Sequence, residues 1–479
     1  MVSEIVYSKI QSALIPGMLA LGLALGRISD IAQQSSPPAI PTILQEPQLF
    51  TTAEKTAIMT YWGEPGRVRI SLPPLSAKKN PWQVRLTSEG SRWLLKYQIA
   101  IGAASAPPTQ DPTSISGSNP IVSEWKSWVQ AKIGWDRYQA QLAANNANRA
   151  LGFNAPTVTD SPPIVPGPIP SDLLAACGDP PTFAAAVSPL QTTITFANGD
   201  AFNYPDHTLV PSAYAYYRFD QGTDTGGEPL SSMPKEKLEA LFTGAGLTSS
   251  QTKVVEAVSM LEGGFDAINT YDTGFVSIGF LQFITAANGK GDLIPVLQRE
   301  KTQDASSFNN DFHRFGIDVT PDGTLDLVDP ETGAELNGSA AVMDIIADKR
   351  LTAVFQRAGR YSSAFRTAQI RTAIANYWPS DYPITVTING HTITGKVSDV
   401  VHSEAGMATL FDRQVNRGSI NPFPSKLQFV MLEHNLTTLA EASQYEQEVI
   451  GKCMYRTDFL MAKSLSQPEE PPSLASENP

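Results

Sequence analysis

The chain has 479 residues, room for roughly two to four domains at about 150 residues each. Hydrophobic residues make up 42% and charged residues 17%, which excludes global disorder and allows a sizeable core. A net charge of -12 argues against general nucleic-acid binding and gives no electrostatic pull toward an acidic polymer. Cys177 and Cys453 define neither a disulfide framework nor a metal cluster. They pair only if the fold brings them together, and two independent thiols is the simpler expectation.

Residues 11–26, QSALIPGMLALGLALG, carry no charge, with Lys9 before and Arg27 after. The run is shorter than the ~20 residues a spanning helix wants. Ala24 and Gly26 have the spacing of a signal-peptidase site, so segment 1–34 reads as a secretory signal. An interfacial anchor or an apolar helix that docks on a membrane or particle fits equally. A Pro-rich spacer follows. Residues 49–152 form a mixed α/β block: VRISLPP reads as a strand, and SRWLLKYQIAIG as an alternating apolar segment. Residues 120–152 read as a helix with Trp125, Trp128, Trp135 and Tyr138 on one face. That stripe suits a core better than sugar stacking. Residues 153–172 are a Pro-rich linker, and 173–231 a small loop-rich region with a strand at 192–196 and no assigned chemistry.

From Met233 the texture turns helical, and residues 232–464 form one expected domain. Ser232 reads as the cap of PKEKLEALFTGAG. The next helix repeats Val254, Val255, Val258 and Leu261 at three and four and runs to Glu262. Residues 318–337 are a turn-rich β insertion, 339–376 a long helical region, and 384–395 a hairpin around Asn389-Gly390. Helices are expected at 398–417 and 425–464, and a disordered acidic tail at 465–479. The fold class is multidomain α+β: a mainly α-helical C-terminal domain with a small β insertion and hairpin, and a mixed N-terminal region.

The chemistry concentrates in residues 254–283, VVEAVSMLEGGFDAINTYDTGFVSIGFLQF. Cleaving a glycosidic bond needs a carboxylic acid kept protonated by partial burial, and a second group to activate water or stabilise the cation. Glu262 sits where a helix gives way to Gly263-Gly264, which leave room for a polymer. Asp266 and Asp272 lie in a loop short enough to fold back beside it. Ser277 and Gln282 add a hydroxyl and an amide that can orient water or an N-acetyl group. Six basic residues from Lys349 to Arg371 form an ordinary solvated face or one that attracts an anionic glycan. The histidines do not cluster at metal-ligand spacing, and neither a phosphate-binding loop nor a Gly-x-Ser-x-Gly elbow is present.

Glu262-Gly263-Gly264-Phe265, followed by Asp272, Gly274, Ser277 and Gly279, resembles the phage and bacterial N-acetylmuramidase family. Phe411 to Gly418 is similar to that family's second signature, an Asp-x-x-Val-Asn-x-Gly helix end, which includes Asn416. Ser277 to Gln282 is similar to the Ser-x-Gly-Leu-Met-Gln run of lytic transglycosylases, and Ala375-Asn376-Tyr377 to their later Tyr-Asn motif. These families and the chitosanases share a lysozyme-like helical fold. The resemblance covers about residues 250–420, and neither the β insertion nor the hairpin belongs to its compact pattern. It implies a lysozyme-like domain with Glu262 as general acid and Asp272 as second carboxylate. Ser277, Gln282, Tyr377 and Asn416 would bind substrate, with no cofactor and no metal. The implied partner is peptidoglycan or a related amino-sugar polymer such as chitosan, and the implied location the cell envelope or beyond, a phage-tail-like particle included. An inactive wall-binding or structural component is the alternative expectation.

Overall fold

Burial sorts the chain into two hydrophobic cores, and the elements follow from which residues each core claims. The computed structural model describes residues 48–72, 80–103, 120–155, 162–188, 190–261 and 263–470. The apolar segment 1–34, the spacer after it and Glu262 lie outside the described residues.

The N-terminal elements are α1 (Thr52–Gly63), β1 (Val68–Ser71), β2 (Gln83–Leu86), α2 (Ser88–Ala100), α3 (Pro120–Ala150), α4 (Ser171–Cys177), β3 (Ala184–Val187), β4 (Gln191–Thr195), β5 (Ala201–Pro205) and β6 (Asp224–Thr225). The mixed α+β character expected of this region holds. The segment expected to alternate, SRWLLKYQIAIG, is instead helical within α2. Its Thr87 cap accepts from Gly90 N at 3.1 Å, and Trp93, Leu94 and Tyr97 then bury on one helical side. These three join Phe183, Leu173, Tyr214, Tyr217 and Tyr271 in the smaller core. Trp125 and Trp128 of α3 pack against it, so half of the aromatic stripe is core. The Trp128 indole also donates to the Gly167 carbonyl at 2.9 Å, which ties the end of the expected linker down.

The larger core takes the rest: α5 (Lys235–Gly244), α6 (Ser249–Ser259), β7 (Ile268–Asn269), β8 (Ser277–Ile278), β9 (Phe283–Ile284), α7 (Leu293–Gln303), α8 (Ala305–Asp311), β10 (Ile317–Val319), β11 (Leu325–Val328), β12 (Glu335–Asn337), α9 (Ser339–Ala347), α10 (Lys349–Tyr361), α11 (Ser363–Tyr377), β13 (Pro383–Ile388), β14 (His391–Lys396), α12 (Glu404–Arg417), α13 (Phe423–Glu433), α14 (Leu439–Ser443) and α15 (Glu446–Gly451). The β insertion is an antiparallel sheet in the order β10-β11-β12, and β13-β14 is the expected hairpin. Asn389 and Gly390 turn that hairpin with positive φ, 50° and 85°. The long helical region from 339 is three helices, because Asp348 and Ser362 leave the helical conformation and cap α10 and α11.

Phe50, Ile58 and Trp62 of the N-terminal region, with Ile194, Phe202 and Tyr204, also belong to the larger core. The Tyr204 hydroxyl donates to Gln356 on α10 at 2.6 Å. The core therefore does not change at 231/232, where the domain boundary was expected. Cys177 lies in the smaller core and Cys453 in the larger, and both are free thiols. The expected tail begins packed: Leu465 is buried, and Ser466 N donates to Glu404 at 2.8 Å.

Candidate active site

The site begins with α6. Thr248 and Gln251 form a reciprocal capping box that starts the helix, and Val254, Val255 and Val258 bury one face. The helix ends at Ser259 rather than running to Glu262. Gly263 and Gly264 were expected to leave space for a polymer, but the chain's own backbone fills that space. Gly264 N donates to the Gly226 carbonyl at 2.9 Å, and a Cβ on Gly264 would overlap the Glu228 carbonyl. The glycines admit the segment 226–228.

Asp266 is a structural acid. It is 2% exposed, accepts from Glu228 N at 2.8 Å, and forms a fork with Arg360 at 2.9 Å to Nε and 2.7 Å to Nη2. Gln369 on α11 holds both arms of the loop: its Nε2 donates to the Phe265 carbonyl at 3.0 Å, and its Oε1 accepts from Phe280 N at 3.2 Å. Helices α10 and α11 thus fix the loop from the side of the larger core.

Strands β6 to β9 form an antiparallel sheet whose two faces differ in chemistry. One cross-strand row is Thr225, Ile268, Ile278 and Phe283, and the last three enter the larger core. The other row is Asp224, Asn269, Ser277 and Ile284. Residues paired across strands point to one face, so three polar side chains line up from the exposed edge inward. Asp272 attaches to this row. Its Oδ2 accepts from Asn269 Nδ2 at 2.9 Å and from the Tyr214 hydroxyl at 3.3 Å, and its Oδ1 from Gly274 N at 2.8 Å. Burial pushes the Asp272 carboxyl up to about 6, although those three bonds and the charge of Arg218 favour the ionised form. Crowding by protein, and then the neighbouring Asp272, raise the Asp224 carboxyl to about 6 as well.

Four hydroxyls in and beside this sheet, on Thr223, Thr273, Ser277 and Thr285, are buried and have no hydrogen-bond partner among the described residues. Buried hydroxyls rarely stay unpaired, so each marks a place that water completes. Gln282, in the turn after β8, holds φ of 51° and donates to the Gly279 carbonyl at 3.0 Å. A non-glycine residue in that region stores strain of the kind that collects at functional sites.

The structure places Ser277 on the sheet and Asp272 in the loop bonded to its Asn269, with Gln282 in the adjoining turn. The other two expected binding residues make bonds elsewhere. The Tyr377 hydroxyl donates to Asp292 at 2.6 Å, and its ring stacks on Phe283 with centroids 6.2 Å apart. Asn416 donates to the Asp412 carbonyl at 2.8 Å and to its carboxylate at 3.1 Å, while Arg456 pairs with that carboxylate. The second signature is therefore a buried knot at the end of α12, where Gly418 turns left-handed.

The basic run from Lys349 to Arg371 is neither a solvated face nor an open anion surface. Arg350 pairs with Asp348, Arg357 with Asp200 and Asp311, and Arg360 with Asp266. Lys349, Arg366 and Arg371 donate to the Gln221, Gly359 and Ala245 carbonyls. Among the described residues, Glu433, His434 and Glu448 bring potential metal-ligand atoms within 4.8 Å of one another. Glu448 there already bridges His434 at 2.8 Å and Lys452 at 3.0 Å.

Sequence reasoning missed Asp224, Asn269 and Tyr214. A signal for Asp224 was present, since Asp224-Thr225-Gly226 repeats the triplet Asp272-Thr273-Gly274. Comparison of the chain with protein-family models, curated proteins and solved structures finds no match.

Proposed function

We propose that this protein cleaves glycosidic bonds in peptidoglycan or a related amino-sugar polymer. In this reading it is a hydrolase or lytic transglycosylase with a lysozyme-like C-terminal domain. Glu262 is the general acid that protonates the leaving oxygen, and no cofactor takes part. The observation that carries the reading is the sheet β6 to β9, with Asp224, Asn269 and Ser277 on one face and Asp272 attached to them. Glycosidic cleavage uses a pair of carboxyl groups, and the sheet supplies carboxylates to stand with the general acid.

Asp272 enters with a changed role. At 1% exposure, with both oxygens hydrogen-bonded, it holds the loop in shape. Its burial also favours a second reading, a wall-binding or structural protein that has lost catalysis. The test is incubation of purified cell-wall sacculi with wild type and Glu262→Gln, followed by analysis of soluble fragments. The proposal expects new sugar ends from wild type and a loss of at least about 100-fold in the variant. Binding without release of sugar ends favours the second reading. An enzyme of this kind works at the cell envelope, outside the cell or on a phage-tail-like particle. Among the described residues no helix is long and apolar enough to cross a membrane.

A further inference from the structure

We propose that Asp224 is a catalytic residue, the carboxylate that activates water for hydrolysis. This rests on the proposed glycosidase reading and replaces Asp272 in that role. The two acids share a neighbourhood but differ in access. Asp272 is sealed, 1% exposed and bonded by Asn269, Tyr214 and Gly274 N. Asp224 stands on the edge strand of the same sheet and is exposed. Its register partner is Asn269, whose amide binds Asp272, so Asp224 lies on the face where Asp272 is held. The next residue in that row is Ser277, whose hydroxyl is fully buried and has no partner among the described residues.

The backbone places the strand beside the right part of the chain. Gly226, two residues after Asp224, accepts from Gly264 N at 2.9 Å. Among the described residues, Asp272 raises the Asp224 carboxyl, and the phenol of Tyr271, which burial and then Asp272 and Asp224 keep protonated, lies close by.

In the step proposed, the Asp224 carboxylate takes one proton from water. The water oxygen bonds the anomeric carbon as the bond to the leaving sugar oxygen breaks. The general acid gives its proton to that oxygen. Asp224 then releases its proton to solvent, and the acid regains one. One water is consumed per bond cleaved, and the anomeric configuration inverts.

The experiment digests purified peptidoglycan sacculi in ¹⁸O-water with wild type, Asp224→Asn and Asp224→Asn plus sodium azide. Wild type is expected to give reducing ends carrying one ¹⁸O. Asp224→Asn is expected to lose at least about 100-fold in rate with an unchanged melting temperature. Azide, a nucleophile that needs no base, is expected to restore turnover as glycosyl azide. Wild-type cleavage with an unimpaired Asp224→Asn overturns the inference and leaves the glycosidase reading standing. A loss that azide does not restore, or 1,6-anhydro ends from wild type, also overturns the inference alone. A wild type that releases nothing overturns both.

Discussion

Glu300 on α7 shows what burial does to a carboxyl without a cation. It is 1% exposed, and burial followed by the charge of Asp311 pushes its carboxyl up to about 9. The native state therefore binds a proton that the unfolded chain releases above the ordinary Glu range. Stability contributed by this group is full below about 4.5 and falls as pH rises toward about 9. Three pH units at about 1.4 kcal/mol each bound the effect between pH 5 and pH 8 at about 4 kcal/mol. Glu300→Gln removes the titration, so the variant gains on wild type between those pH values. Urea denaturation at both checks this, and an equal difference at the two would contradict it. Asp266 is the opposite case, buried but balanced by Arg360. Arg360→Met strands that carboxylate, and the same denaturation should show a loss of about 3 kcal/mol. Sequence spacing left Asp266 and Asp272 both open as the second acid. Their separation depends on an arginine 94 residues away in the chain, which no local pattern reports.

At the scale of elements, local signals read well where the chain decides its own conformation. Asn389-Gly390 fixed the hairpin, and the valines of α6 placed a helix before the site. The reading failed where a cap or a distant partner decides. Thr87 and the smaller core make α2 a helix despite its strand-like apolar pattern. The polar row was illegible because it depends on which strands pair: Asp224 is 45 residues before its partner Asn269. Gln369 is the element-level clamp, and Gly279 meets it so closely that a Cβ there would collide with its amide. Gln369→Leu leaves the Phe265 carbonyl and the Phe280 N–H unpaired in the interior. A loss of about 2 to 4 kcal/mol in denaturant unfolding is expected from two such groups, and near-neutrality would show that the loop holds without it.

For the whole molecule, the two cores meet at the candidate site. Tyr271 is part of the smaller core, while Ile268, three residues earlier, is part of the larger. Arg218 and Phe219 donate backbone N–H groups to the Tyr271 carbonyl at 2.9 and 3.1 Å, which docks segment 214–219 on the loop. The N-terminal half, given no chemistry from sequence, thus holds Asp272 through Tyr214 and supplies Asp224. Trp93→Ala, far from the sheet in sequence, removes a buried ring and should cost about 3 to 5 kcal/mol. Hydrogen exchange should quicken at amides 269–274 together with α2, and not at the β13-β14 hairpin. Faster exchange confined to α2 would separate the smaller core from the site.

The central claim is that residues 254–283 carry a working glycosidase. It is tested most directly by the release of sugar ends from purified sacculi by wild type and by Glu262→Gln, with both proteins shown to melt alike. The account predicts release by wild type and a loss of at least about 100-fold in the variant. Equal release by the two proteins would contradict it.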